Sequence, residues 1–232
     1  MPAPAPASQA DQPMTHLASD SPRACPVRSS PAISTQNSRG PTVWPVATTD
    51  VVSDAKTEAQ RLLSVELQRW VHVAGVAEAA AVASRTVADG DTELLIAAAW
   101  LHDIGYSEQL RGTGFHPLDG ARHLRAAGAS DRLCRLVANH TSASVEADAR
   151  GLARALAEEF PPEDSPTADA LTYADLTTGA HGEPTTVEDR LADIYDRYPP
   201  GHVVHESIRR AEPDLIATVR RVEARLAAAQ PR

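Results

Sequence analysis

The chain has 232 residues, 42% of them hydrophobic and only 4% aromatic, with a formal net charge of -9 and an isoelectric point near 5.4. That length fits one domain plus extensions, and the acidic balance disfavours sequence-independent binding to a nucleic-acid polymer or to anionic lipid. No run of about 18 apolar residues offers a membrane span, and no charged segment followed by an apolar one marks the N-terminus, so neither a membrane nor a secretory role is signalled.

Residues 1–50 carry Pro2, Pro4, Pro6, Pro13, Pro22, Pro26, Pro31, Pro41 and Pro45 among Ser, Thr, Gln and Ala. Such a stretch buries too little apolar surface to order itself, and it lacks the basic spacing of a Pro-rich docking motif. A disordered tail is expected over 1–50 and a folded domain over 51–232, with Trp44 and Val46 the tail residues that could still dock. Cys25 and Cys134 form no disulfide framework, which fits a reducing cytoplasm.

From Val51 the pattern is helical. Leu62, Leu63, Leu67, Trp70 and Val71 predict a first amphipathic helix. The pattern continues toward a stop at Gly90, with His72, Val76, Ala80, Ala83 and Val87 on one buried stripe. Arg69 stands one turn earlier on that face, either as a surface ion pair or as a phosphate contact.

Asp91 is the expected N-cap of the next helix, which ends in the stretch AAAWLHDIGY. Leu95, Ala98 and His102 share a face, so His102 is expected to be buried, with Asp103 about 100° further round. Gly105 supplies a residue type that readily ends a helix in the left-handed conformation.

After a loop, Pro117 suits the first position of a helix that stops at Gly128, placing His116 at its mouth as a cap or as a ligand. His123 is expected to face solvent. Ser130 then caps a helix in which Leu133, Leu136, Val137 and His140 share a face before the chain leaves at Thr141. Two further helices are expected near 150–160 and 167–178. In the second, Ala168, Leu171 and Asp175 follow i, i+3, i+7, so Asp175 is either an exposed helix-end acid or a buried carboxylate that needs a cation or several donors. Thr186 opens another helix, and a last one runs from about His202 to Ala229. His181, His202 and His205 lack an apolar frame and are assigned to the surface. No strand alternation and no repeat is present, so the expected fold is all-α.

His72, His102, Asp103, His116, His140 and Asp175 are thus the inward polar groups. Imidazole and carboxylate without thiolate suit Fe, Mn, Co or Zn, and six such ligands exceed what one open catalytic ion uses, so two divalent ions are the economical reading.

In their order, a histidine, then a His-Asp pair, then a distant aspartate, these residues resemble the HD superfamily of metal-dependent phosphohydrolases. His116 in GFHPLDGA and His140 in ANHTSA resemble the extra histidines of its two-metal branch. The resemblance spans about residues 69–180 and implies an HD-domain helical bundle of about seven to nine helices. One ion would take His72, His102, Asp103 and Asp175, and the other His116 and His140, with Asp103 bridging. A hydroxide held between the ions would attack phosphorus, with Asp103, Arg69 and Thr141 as the catalytic candidates and the last two holding phosphate.

The implied substrate is a nucleotide or related small phosphoester. Cyclic dinucleotides are disfavoured, because Tyr106 stands where that branch has Lys and Asn139 precedes His140. One other class has a very similar ligand order, the HD-type diiron oxygenases, which need iron and dioxygen; a third reading is a non-catalytic nucleotide-binding module of the degenerate HD kind, against which the complete ligand set argues.

Overall fold

A computed structural model describes residues 50–229. The expected tail, Trp44 and Val46 included, lies outside the described residues apart from Asp50, whose carboxylate caps the first helix through the Ser53 amide at 2.9 Å.

The architecture is the expected all-α one. The helices are α1 (Val51–Leu63), α2 (Leu67–Ala83), α3 (Thr92–Leu101), α4 (His116–Ala127), α5 (Asp131–Asn139), α6 (Ala143–Ala149), α7 (Ala153–Glu159), α8 (Pro166–Leu176), α9 (Val187–Arg197) and α10 (Val203–Ala228). An isolated bridge from Thr178 to Pro184 closes the loop between α8 and α9.

Helix α3 is the axis. Its sequence, TELLIAAAWL, is apolar on nearly every face, and a helix of that kind is stable only when surrounded. It packs against α1, α2, α5 and α8, and Leu95, Ala97, Ala98, Ala99 and Leu101 have no exposed surface. The small alanines let these neighbours approach closely. Around them gathers the main core, with Leu62, Leu63, Val76, Phe115, Leu124, Val137 and Phe160 fully buried. A second cluster, Leu176, Val187, Leu191, Ala211, Leu215 and Val219, joins α8, α9 and the long α10.

Several boundaries differ from the expected ones. The first helix is two, broken at residues 64–66, and Val65 and Leu67 are 86% and 70% exposed. Both α1 and α2 present an apolar stripe to α3, which one straight rod cannot do. Helix α2 stops at Ala83, well before Gly90. There the Ser84 and Thr86 hydroxyls donate to the carbonyls of Ala81 and Ala83 at 2.8 and 2.7 Å, competing with helical bonding.

Asp91 precedes α3 without capping it. Its carboxylate instead accepts from Arg132 at 2.6 and 2.8 Å and from the Thr167 hydroxyl at 2.6 Å, tying the start of α3 to α5 and α8. Gly105 is not left-handed. It lies in a 3₁₀ turn, Ile104–Tyr106, where a Cβ would come within 2.0 Å of the His116 carbonyl oxygen. The glycine is therefore required by close approach of α4 to the end of α3. Gly128, by contrast, ends α4 at φ 92° as expected. His123 is half-buried, and its Nε2 lies 2.7 Å from Glu58 on α1.

Candidate metal centre

Three helix termini deliver four residues of the polar cluster. His102 follows the last residue of α3, Asp103 comes next, His116 opens α4, and His140 follows the last residue of α5. His72 and Asp175 come from the bodies of α2 and α8. His72, His102, Asp103, His140 and Asp175 are buried, with His102 completely so. The side chain of His116 is 15% exposed.

All six residues meet. His72, His102 and Asp175 form one group and Asp103, His116 and His140 another, each with its candidate ligand atoms within 4.8 Å of one another. Asp103 faces both: its Oδ2 lies 3.5 Å from His102 Nε2 and 4.0 Å from His72 Nε2, while its Oδ1 lies 3.3 Å from His116 Nε2 and 3.8 Å from His140 Nε2. Asp175 Oδ1 lies 3.2 Å from His72 Nε2 and 4.0 Å from His102 Nε2.

The far nitrogens explain why these rings point inward. His102 Nδ1 lies 2.8 Å from the Ala99 carbonyl, His140 Nδ1 2.7 Å from that of Val137, and His72 Nδ1 2.9 Å from that of Gly179. A carbonyl only accepts, so each Nδ1 carries the proton and each neutral ring turns the Nε2 lone pair toward the cluster. Burial pushes the imidazoles of His102, His116 and His140 below their ordinary range, favouring that neutral form. Burial also opposes ionisation of Asp103 and Asp175. Even so, the guanidinium groups, charged whatever the state of the rings, hold both carboxylates well below the usual range, Arg69 for Asp103 and Arg190 for Asp175.

Lone pairs and carboxylates therefore converge in a buried space. His102 Nε2 has no hydrogen-bond partner at all. A second proton on His72 would bridge it to Asp175, but it would leave His102 unsatisfied. A divalent cation satisfies both, and the donor set of nitrogen and oxygen without sulfur is one that iron, manganese, cobalt and zinc accept. The residues fit the metals that the sequence implies.

The candidate phosphate contacts occupy different positions. Arg69 donates from Nη1 to Asp103 Oδ2 at 2.6 Å, and its guanidinium lies over the Tyr106 ring at 4.0 Å. The other face of Tyr106 stacks on His116 at 3.9 Å, so Tyr106 is held between the two. The Thr141 hydroxyl donates to Asp175 Oδ2. Its one proton is engaged there, and Thr141 orients the carboxylate. Thr141 and Ser142 have φ of 48° and 58°, a conformation that costs a β-branched residue roughly 1–2 kcal/mol. The turn they make sets both His140 and Thr141 against the cluster and allows α6, a helix not expected from the sequence, to begin.

Asp103, His116, His140 and Asp175 of the cluster line an open pocket. Arg69, Arg190 and Arg197 also line it, together with Tyr198 and the apolar Ile194 of α9 and Val204 and Ile208 of α10. Arg190 was not singled out in the sequence, although its position was marked there: it shares the stripe of Val187, Leu191 and Ile194 and is only 5% exposed.

No helix among the described residues is long and apolar enough to cross a membrane. In comparisons with known proteins, no curated protein and no solved structure matched the chain. A family model described as HD domain matches residues 69–200, more than half of the chain and a range that holds all six clustered residues. The chain belongs to the HD domain family, whose members are mostly metal-dependent phosphohydrolases.

Proposed function

We propose that this protein is a cytoplasmic phosphohydrolase that holds two divalent ions and hydrolyses a nucleotide or related small phosphoester. The observation that carries the reading is the convergence of unprotonated imidazole nitrogens on two carboxylates, with His102 Nε2 left without any partner. One ion would be held by His72, His102 and Asp175, the other by His116 and His140, and Asp103 would serve both through its two oxygens. Such ions supply Lewis acidity, making water nucleophilic at neutral pH and offsetting the charge that builds on phosphoryl oxygens.

The protein's own residues do the rest. The carbonyls of Ala99, Val137 and Gly179 fix the tautomers, so the rings need no reorganisation on binding. Arg69 sits at the pocket edge beside Asp103, where its guanidinium can donate to a phosphoryl oxygen, and Tyr106 keeps its plane in place. Thr141 holds Asp175. The apolar side chains of α9 and α10 receive the organic part of the substrate and keep water from it.

The test is a panel of nucleotides and small phosphoesters assayed without oxygen on protein loaded with Mn²⁺. Phosphate release is the expected outcome. Turnover only with iron and dioxygen would assign the protein to the oxygenase class instead, and metal binding without turnover in either condition would leave a binding module.

A further inference from the structure

We propose, building on the phosphohydrolase reading, that Arg190 binds an anionic oxygen of the substrate and that this binding is coupled to metal affinity at the His72, His102 and Asp175 group. A guanidinium has five N–H donors, and when buried it is costly unless they are met. Here Nη1 donates to Asp193 at 3.1 Å and Nη2 lies 3.4 Å from His72 Nε2, while the buried Nε has no acceptor. The Asp175 carboxylate is 3.7 Å away and already engaged by the Thr141 hydroxyl.

Charge counting points the same way. Asp193 also accepts from Arg197 at 2.8 Å, so two guanidinium groups share one carboxylate that is 42% exposed. Arg190's other acidic neighbour is Asp175, so once a metal ion takes that carboxylate one positive charge would be left over at the mouth of the cluster. Arg190 and Arg197 line both the main pocket and a second opening beside His72 and Ala180, so an anion entering by either route meets them.

The position of Arg190 also has a cost for the metal. Its charge sits within hydrogen-bonding distance of a nitrogen that a cation would take, and like charges repel across a buried gap. An anion on Arg190 offsets that repulsion. Anion and metal therefore bind with positive linkage, each strengthening the other by the same factor.

The experiment is calorimetric titration of the metal-free full-length protein with Mn²⁺, with and without inorganic phosphate, for wild type, Arg190→Gln and Arg190→Lys. In wild type, phosphate should tighten Mn²⁺ binding about tenfold, a typical coupling. Arg190→Gln should bind Mn²⁺ more tightly than wild type in the absence of phosphate and should lose the phosphate effect. Arg190→Lys keeps the charge without the planar fork. It should therefore match wild type for Mn²⁺ alone and lose at least half of the phosphate effect. Coupling that survives unchanged in both variants would overturn the assignment. So would a glutamine variant that binds Mn²⁺ more weakly with phosphate affinity intact, the signature of a packing role. Because binding is read, failure of hydrolysis on every phosphoester would sink the phosphohydrolase reading alone.

Discussion

At the scale of single residues, Asp103 has the most neighbours to serve: two histidines on each side and Arg69. Asp103→Ala removes the one carboxylate common to both groups. Metal content and turnover are expected to fall together, turnover by at least about 1,000-fold, the scale of losing a group that stabilises transition-state charge. Elemental analysis and a phosphoester assay on the same preparation check this, and full activity in that variant would eliminate the mechanism. Glu58 gives a separate residue-level prediction, far from the site. Burial opposes its ionisation, but bonds from Arg61 and His123 outweigh burial and bring its pKa to about 2. A folded-state value below the unfolded one means that its stabilisation is complete above about pH 4.5 and is lost as the pH falls toward 2. The loss is about 2 kcal/mol once the partly exposed Arg61 is discounted. Denaturant melts of Glu58→Gln across that range should show a correspondingly flatter slope.

At the scale of elements, the loop before α4 decides where His116 stands. Asp119, buried one turn into that helix, reaches back and accepts from the amides of Gly112, Thr113 and Gly114 at 2.9 to 3.1 Å and from the Thr113 hydroxyl at 2.9 Å. This carboxylate clasps a loop that has no helical bonding of its own. Asp119→Ala should free residues 112–115, seen as faster amide exchange there. Metal affinity should fall about tenfold, the scale of losing an outer-shell partner, while the helical signal is kept. Unchanged exchange in that loop would show that the clasp is not needed.

For the whole molecule, the cluster brings side chains from α2, α4 and α8 and from the ends of α3 and α5 to one place, where imidazole lone pairs and two carboxylates would share a cation. Metal binds only the folded arrangement, so saturation at 100 times the dissociation constant should add about 2.7 kcal/mol and raise the melting temperature by about 5 to 10 °C. Chelator should reverse it, and a melting temperature indifferent to metal would count against the site. The folded unit, we propose, begins at Asp50, which caps α1. Deleting residues 1–49 should leave metal content and melting temperature nearly unchanged. A large loss of either would show that the preceding segment belongs to the domain.

The all-helical class and the six clustered residues were legible in the sequence for a physical reason: a histidine or aspartate on an otherwise apolar helical stripe is an anomaly that periodicity exposes. The stops at Gly128 and the cap at Ser130 were legible because a single residue's backbone or hydroxyl sets them. What depends on two distant segments was not. The break between α1 and α2 arises because both must face α3. Gly105 answers to a carbonyl eleven positions away, and Asp91 to Arg132 and Thr167. Thr141 turned its proton to Asp175, and Arg190 carried the same stripe signal as the histidines while a guanidinium there suggested no metal. Local pattern determined which side chains point inward. Only the packing of helices against α3 decided what each one meets there, because hydrogen-bond partners are set by distances across the core that no spacing along the chain records.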